Sequence, residues 1–332
     1  MPLVDRAQIG FKKETTVGTP VTVDRFAEFV TEKVQPMQGR VRSNGLRSGH
    51  RVRRTDRQVP YKMGAAGSIS VELLSKGFGF WLEHMLGTVA TTGPSDSAYT
   101  HTGTIGTMTG LGFTFQSNHP FHPGNTNQAL TYTGGKIPKW TISNKVGEFL
   151  IADLDVDFID YTTATALASA SYPTAGEPLS FVGGVVSVGG SAVDVYDATV
   201  SCDNKLMGDS SGNDRRYLRG SALHKELVEA NFREVAWDLT ADFESLTQFN
   251  RFSTSTAAGA LATITLTWTG AILIGSASYP TLTVTIQNAS FDGFNSTIDG
   301  PAPLRQKLSG VGLYDGSTSA VSVAYTTADS TP

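Results

Sequence analysis

Glu234-Val235-Ala236-Trp237-Asp238-Leu239-Thr240-Ala241-Asp242 alternates polar and apolar positions without a break. Carried two residues further, Val235, Trp237, Leu239, Ala241 and Phe243 share one face, and Glu234, Ala236, Asp238, Thr240, Asp242 and Glu244 share the other. Successive side chains of a strand point to opposite sides of a sheet, so a period of two predicts a half-buried antiparallel strand. Ala152–Phe158 repeats the pattern, with Asp153, Asp155 and Asp157 on one side. Lys139–Asn144 precedes it, and Lys145-Val146-Gly147 reads as the turn of a hairpin. The same signal predicts strands at Phe26–Val34, Gly67–Leu73, Leu130–Thr133, Val185–Val188, Tyr196–Cys202, Ala262–Thr269, Thr281–Gln287, Gln306–Leu313 and Val321–Thr326.

Helical period stands out after Ser75, where Phe78, Trp81, Leu82 and Met85 recur at i, i+3, i+4 and i+7. Ser75 is the expected N-cap and Gly87 the expected stop, while Gly77 and Gly79 weaken the helix. A shorter version follows Ser245, with Leu246, Phe249 and Phe252 on one side.

Together these helices expose an internal repeat. Each follows an alternating strand, so that Glu72-Leu73-Leu74-Ser75 lines up with Asp242-Phe243-Glu244-Ser245. The offset of about 170 residues is half the chain, which fits two domains of ordinary size. Phe26–Val34 followed by Arg40–Arg57 matches Tyr196–Cys202 followed by Gly208–Arg219. Ala, Ser, Thr, Gly and Pro cluster at Ser169–Pro178, which marks the boundary between residues 1–172 and residues 173–332. The expected fold class is therefore mainly β, in two tandem domains, each with a short α-helix.

Composition narrows the function. Of 332 residues, 39% are hydrophobic and only 17% charged, as in a globular chain. A net charge of -4 argues against wholesale binding of a polyanion. Cys202 is the single cysteine, which excludes an intramolecular disulfide and a cysteine zinc cage. No run of 18 apolar residues predicts a membrane helix. Met1–Arg6 has no apolar core, so the expectation is a cytoplasmic product without a secretory signal.

The chain offers little chemistry. Gly134-Gly135-Lys136 lacks the earlier glycine of a phosphate-binding loop, Leu130 standing in its place, and Ile137 replaces the Ser or Thr. It reads as a turn at a strand end. His119-Pro120-Phe121-His122 supplies too few ligands for zinc. His84 beside Glu83 reads as part of a solvated helix face, and no nucleophile elbow is present. The expectation is no enzyme, no cofactor and no metal.

Two charge features remain. Arg40, Arg42, Arg47, Arg51, Arg53, Arg54, Arg57 and Lys62 form a basic arm, about residues 36–64, opposed only by Asp56. Such density of like charge predicts an arm that stays mobile until it meets an acidic partner. The arm can be read as a docking segment for carboxylates on another subunit, as a solvated loop, or as a nucleic-acid contact without aromatic interleaving. Asp153, Asp155, Asp157, Glu234, Asp238 and Asp242 form acidic strand faces. These are either ordinary outward faces or a wall that repels a passing polyanion.

Ile9-Gly10-Phe11-Lys12-Lys13-Glu14-Thr15-Thr16-Val17-Gly18-Thr19-Pro20-Val21-Thr22, Gly45-Leu46-Arg47-Ser48-Gly49 on to Arg54, Lys76–His84, Phe232–Phe243 and Val323–Asp329 resemble, in this order, the major tail tube proteins of bacteriophages with long non-contractile tails (siphophages). The resemblance runs from end to end and contains no catalytic motif. It implies tandem β-sandwich domains of two packed antiparallel sheets, each flanked by a short α-helix, in a structural virion protein that forms rings, stacked into a hollow tube through which DNA leaves the capsid without specific binding. It further implies an acidic lumen, an arm reaching adjacent subunits or rings, and assembly in the host cytoplasm. The implied partners are further copies of the chain, the tape measure protein, the tail terminator and the distal tail protein. Rings of that family usually hold six domains, so a tandem chain implies a homotrimer with pseudo-sixfold symmetry, the alternative being six chains per ring. A tube subunit of a contractile injection or secretion system is an alternative within the same physics. A β-sandwich ligand-binding module is a third reading. Against it, Trp140 and Trp237 fall on the apolar sides of their strands.

Overall fold

In the computed structural model, residues 6–121, 126–174, 176–207, 220–256, 261–298, 300–301 and 303–332 are described. The first half contains β1 (Ile9–Lys13), β2 (Arg25–Ala27), β3 (Thr31–Glu32), β4 (Gln35–Arg42), β5 (Gln58–Glu72), α1 (Gly79–Leu86), β6 (Gly87–Ser95), β7 (Ala98–Ile105), β8 (Phe113–Asn118), β9 (Ala129–Lys145), β10 (Ile151–Phe158) and β11 (Asp160–Thr162). The second contains β12 (Gly184–Val188), β13 (Ser191–Val193), β14 (Val195–Asp203), β15 (Glu234–Asp242), α2 (Thr247–Ser253), β16 (Leu261–Thr269), β17 (Thr281–Ser290), β18 (Gly293–Asn295), β19 (Arg305–Gly312) and β20 (Val321–Thr327). The protein is mainly β, and all its strand-to-strand ladders are antiparallel.

The two halves use one pairing order. In the first, β2–β1–β8–β9–β11 form an outer sheet from the early part of β9, and β4–β5–β10–β9 form an inner sheet from its later part. In the second, β13–β12–β16–β17–β20 and β14–β15–β19–β18 follow the same sequence of neighbours. β9 passes from one sheet to the other at Gly134, whose φ of 70° lies in the left-handed region that favours glycine. Gly134-Gly135-Lys136 is thus the bend of a continuous strand and not a terminal turn. In the second half the crossing is interrupted, between β17 and β18.

Apolar positions of every alternating strand turn inward. Phe113 and Phe115 of the outer sheet meet Phe158 of the inner sheet, with ring centroids 5.5 and 5.8 Å apart. Trp237 meets Phe291 at 4.9 Å in the second half. Trp81, Trp140 and Trp237 are all buried, and one continuous core runs through both halves.

Several expected boundaries move. Phe26–Val34 divides into β2 and the very short β3, and β4 begins only at Gln35. The segment equivalent to β14 is consequently Thr31–Met37. Thr31 pairs with Ser70 and Gln35 with Ala66, two and six residues before Glu72. Asp197 pairs with Thr240 and Ser201 with Ala236, at the same distances before Asp242. Ser75 does not cap α1, which starts at Gly79; its hydroxyl instead accepts the N–H of Glu177. Gly87 does end the helix, with φ of 102° and its N–H donated to the Glu83 carbonyl.

One element has no counterpart. The hairpin β6–β7, inserted after α1, leaves its own half and lays β7 against β20, with Tyr99 opposite Thr327 and Thr104 opposite Ser322. At its tip, the Asp96 carboxylate accepts the N–H groups of Ser276, Ala277 and Ser278 and the Ser276 hydroxyl, at 2.6–2.9 Å. These bonds hold its pKa well below the usual carboxylate range.

Candidate functional site

The inner sheets of the two halves are joined edge to edge. β9 pairs with β14 over seven residues, from Lys139 opposite Asp203 to Lys145 opposite Asp197. The combined order β4–β5–β10–β9–β14–β15–β19 is one continuous sheet with a solvent-facing polar side. Cross-strand register places Ser68, Asp155, Lys139, Asp203 and Glu234 in one row across it. A neighbouring row holds Ser70, Asp153, Thr141, Ser201 and Ala236, and a third holds Glu72, Ile151, Ser143, Thr199 and Asp238. Asp153, Asp155, Glu234, Asp238 and Asp242, far apart in the sequence, therefore share this face.

The face is acidic but not uniformly so. Lys205 bridges Asp203 at 2.8 Å and Glu234 at 3.0 Å, and Lys307 lies 3.7 Å from Asp238. Asp242 accepts the Tyr196 hydroxyl at 2.9 Å, and the Arg305 guanidinium sits 3.7 Å over that ring. Burial pushes the Asp155 carboxyl up; Lys139 opposes this, while Asp153 and Asp203 reinforce it. The lysines and Asp203 escaped the sequence reading because only the pairing of β14 with β9 and β15, and of β15 with β19, brings them beside the acidic residues.

Asp157 differs. The β9–β10 register shift between Asp155 and Asp157 is an extra residue in β9; β10 pairs with β5 without a break, so Asp157 keeps the side of Asp153 and Asp155 but is covered by the arm of the second half and only 5% exposed. Its Oδ1 lies 3.5 Å from Nε2 of buried His224. Asp157 is thus a buried partner of the second half and not part of the exposed acidic face.

The basic arm is an extension of the β4–β5 hairpin. Arg40 and Arg42 lie on β4 and Lys62 on β5, while Arg47, Arg51, Arg53, Arg54 and Arg57 surround the connecting loop. The arm is exposed almost throughout, but ladder pairing from Gln35–Ala66 to Arg42–Gln58 gives it a defined backbone where the charge density had predicted a mobile segment. Arg54 grips Asp56 through two bonds of 2.9 and 2.7 Å, which lower the Asp56 pKa. Arg53 donates to Asn44 at 2.9 Å and Arg40 to Gln38 at 2.6 Å.

The corresponding arm of the second half, between β14 and β15, folds back on the first half. Gly208–Arg219 of that arm lies outside the described residues. Its described stem pairs Leu206 with Glu229, and Leu223 bridges to Met63. The Lys136 ammonium, buried beneath it, donates to Glu226 at 2.6 Å and to the Met108 carbonyl. Burial draws the Lys136 pKa down, with Glu226 opposing. The His224 ring nitrogens face the carbonyl oxygens of Lys225 at 2.6 Å and Phe158 at 3.2 Å. Nothing local in the sequence marks Lys136, His224 or Glu226 as a buried polar seam.

The remaining candidates are structural. His84 is not solvated: it packs against Phe80 and Phe113, and burial drives its pKa down to about 3. Cys202 is buried, which pushes its thiol up to about 12. His119 bonds Glu32 at 3.0 Å, which raises its pKa, and His122 lies outside the described residues. Among the described residues no group of three or more His, Cys, Asp and Glu side chains is arranged to hold a metal. No described helix is long and apolar enough to cross a membrane.

Two fused sheets whose edges are uncovered among the described residues, an extended arm and a broad hydroxyl- and carboxylate-rich face define a β-sheet assembly protein. A sequence-family model described as phage tail tube protein matches residues 5–312, and the chain belongs to that family. No curated protein matches it in sequence. As a tail tube family member, the protein is a structural component of a virion.

Proposed function

We propose that the protein polymerises into stacked rings that form the tube of a long non-contractile phage tail, and that DNA passes through the lumen during ejection. The observation that carries this reading is the β9–β14 ladder, by which two halves of equal topology build one unbroken sheet. Residues 1–172 and 173–332 act as two tube domains, so three chains complete a pseudo-sixfold ring; six chains per ring is the alternative. The polar sheet face, with Asp153, Asp155, Glu234, Asp238 and Asp242, lines the channel, where carboxylates discourage phosphate adhesion. Arg40, Arg42, Arg47, Arg51, Arg53, Arg54 and Arg57 present guanidinium forks to carboxylates of a neighbouring subunit or ring. Ring-to-ring contacts of this kind are heterologous and propagate as open filaments. The tape measure protein would occupy the lumen before DNA does, and the tail terminator and distal tail protein would close the ends. Assembly takes place in the host cytoplasm.

Negative-stain electron microscopy of the concentrated protein tests this directly. Hollow tubes whose end-on averages show three strong repeats are expected. Sixfold averages would replace the trimer with six chains, and dispersed single chains under all conditions would reject the tube reading.

A further inference from the structure

The equivalence of the halves fixes a junction that a single chain leaves open. Within the chain, the outer edge of β9 is covered by β14, with Thr141 opposite Ser201 and Lys139 opposite Asp203. In the second half, β18 holds the place of this part of β9. Thr141 pairs with Asp153, which pairs with Ser70; Asn295 pairs with Lys307, which pairs with Thr240. Ser70 and Thr240 are the equivalent positions established above. Asn295 therefore stands where Thr141 stands, yet among the described residues no strand covers the outer edge of β18. Beside that edge lies an aromatic patch: Phe249 and Phe252 of α2 pack on Phe294 at 5.2 and 6.0 Å but remain 36% and 39% exposed, and Leu246 is 58% exposed.

The opposite end of the chain carries the complementary piece. Thr31–Met37 is the equivalent of Asp197–Asp203, and its outer edge is likewise uncovered among the described residues. We infer that this segment of a second copy of the chain seats on β18 and the α2 patch, antiparallel, with Gln35 opposite Asn295, Pro36 opposite Phe294 and Met37 opposite Gly293. This deepens the ring proposal above and rests on it.

The edge chemistry fits a selective contact. Lys33 donates its N–H to Ser68 on β5, so by alternation Val34 and Pro36 face outward. The Val34 N–H is already held by the Glu32 carboxylate at 2.7 Å, and Pro36 has none. The Val34 carbonyl accepts the Tyr132 hydroxyl at 3.2 Å, so at these two positions the edge offers chiefly the Pro36 carbonyl and no N–H donor, a pattern that discourages indiscriminate strand pairing. Its partner must bring both donors and apolar surface, as the Phe294 N–H and the phenylalanine patch do. The junction between chains has fewer hydrogen bonds than the one within the chain.

By the same alternation Gln35 and Asn295 form a non-hydrogen-bonded pair, the closer kind, within reach of a disulfide. The test is Gln35→Cys with Asn295→Cys, oxidised after assembly and run without reductant. Covalent bands at two and three times the 35.3 kDa chain are expected, absent from a variant with either substitution alone, in which the native Cys202 stays buried. Thr141→Cys with Ser201→Cys is the control, giving a disulfide inside one chain. Phe252→Asp, at an exposed site, is expected to abolish the multimer bands while leaving the monomer folded. Tubes that form with both engineered thiols still free would overturn this junction while the tube reading stands. Absence of both tubes and cross-links would overturn the two together, and a Phe252→Asp variant that cross-links like its parent would remove the aromatic patch from the contact.

Discussion

Helices α1 and α2 follow equivalent strands, but their surroundings differ. α1 is wrapped: all its residues but Glu83 are buried. The second half supplies much of the cover, through Asn204 bonded to the Met85 carbonyl, Arg233 bonded to the Leu86 carbonyl, and Tyr325 packed on Phe78 just before the helix. α2 buries only Gln248 and leaves its phenylalanines half open. Its apolar residues occupy the side that the sequence periodicity marks as inward, but among the described residues Phe294 covers Phe249 and Phe252 only in part. A period of 3.6 residues reports which face avoids water, and not whether the cover comes from the same chain.

The sharpest way to break this comparison is truncation of an aromatic on each helix. Trp81→Ala should cost about 3–5 kcal/mol, as expected for an aromatic removed from a packed core. Phe252→Ala should cost less than about 1 kcal/mol in the unassembled chain. Urea unfolding measures both, and equal losses would mean that α2 is covered within one chain. Next comes the pair Asn204 and Gln38, each one residue beyond the equivalent ends Asp203 and Met37. Asn204 donates to the carbonyls of Met85 and Ile137 at 3.0 and 2.8 Å. Asn204→Ala removes both buried bonds, leaving the Met85 carbonyl with the Trp140 indole N–H alone, and should cost about 1–3 kcal/mol, whereas Gln38→Ala should be near neutral by the same measurement.

The smallest effect concerns Asp96, which pins the hairpin across the filled junction. Its pKa is lowered in the folded chain, so its stabilisation is present above the unfolded value of about 3.9 and is lost as pH falls through the folded value. The Tm difference between the protein and Asp96→Ala should stay constant from about pH 8 to 5 and shrink below about pH 4. A difference that widens on acidification would contradict the bonding described for the tip.

What could be read from the sequence follows from how local each signal is. The strands at Glu234–Asp242 and Ile151–Phe158, the turn at Gly147 and the stop at Gly87 all rest on neighbours a few positions apart, and they stand where expected. The acidic side of β15 was legible by alternation, and so was the side on which Asp157 lies, but its exposure was not, because the arm that carries His224 over it comes from the other half of the chain. His84 and Lys136 were misplaced for a related reason. A histidine beside a glutamate and a lysine after two glycines both read as surface features, and only long-range packing buries them. The match of Phe26–Val34 with Tyr196–Cys202 found the right neighbourhood but the wrong limits, since backbone pairing with β5, and not apolar content, defines the equivalent segment.

The hairpin that leaves the first half also orders events in time. Thr327 bonds the carbonyl of Ser75, a separation of 252 positions, and Tyr325 reaches Leu74 across 251. A ribosome delivers the helix long before it delivers the strand that closes over it. Until residues 321–332 emerge, the nascent chain carries an open aromatic helix and a hairpin with no strand to join, surfaces of the kind that attract premature association. Contacts of such sequence separation form late and slowly. The closing of α1 thus waits on the end of the chain, and a subunit that has taken this step keeps its Thr31–Met37 edge, its arginine arm and its α2 end to offer.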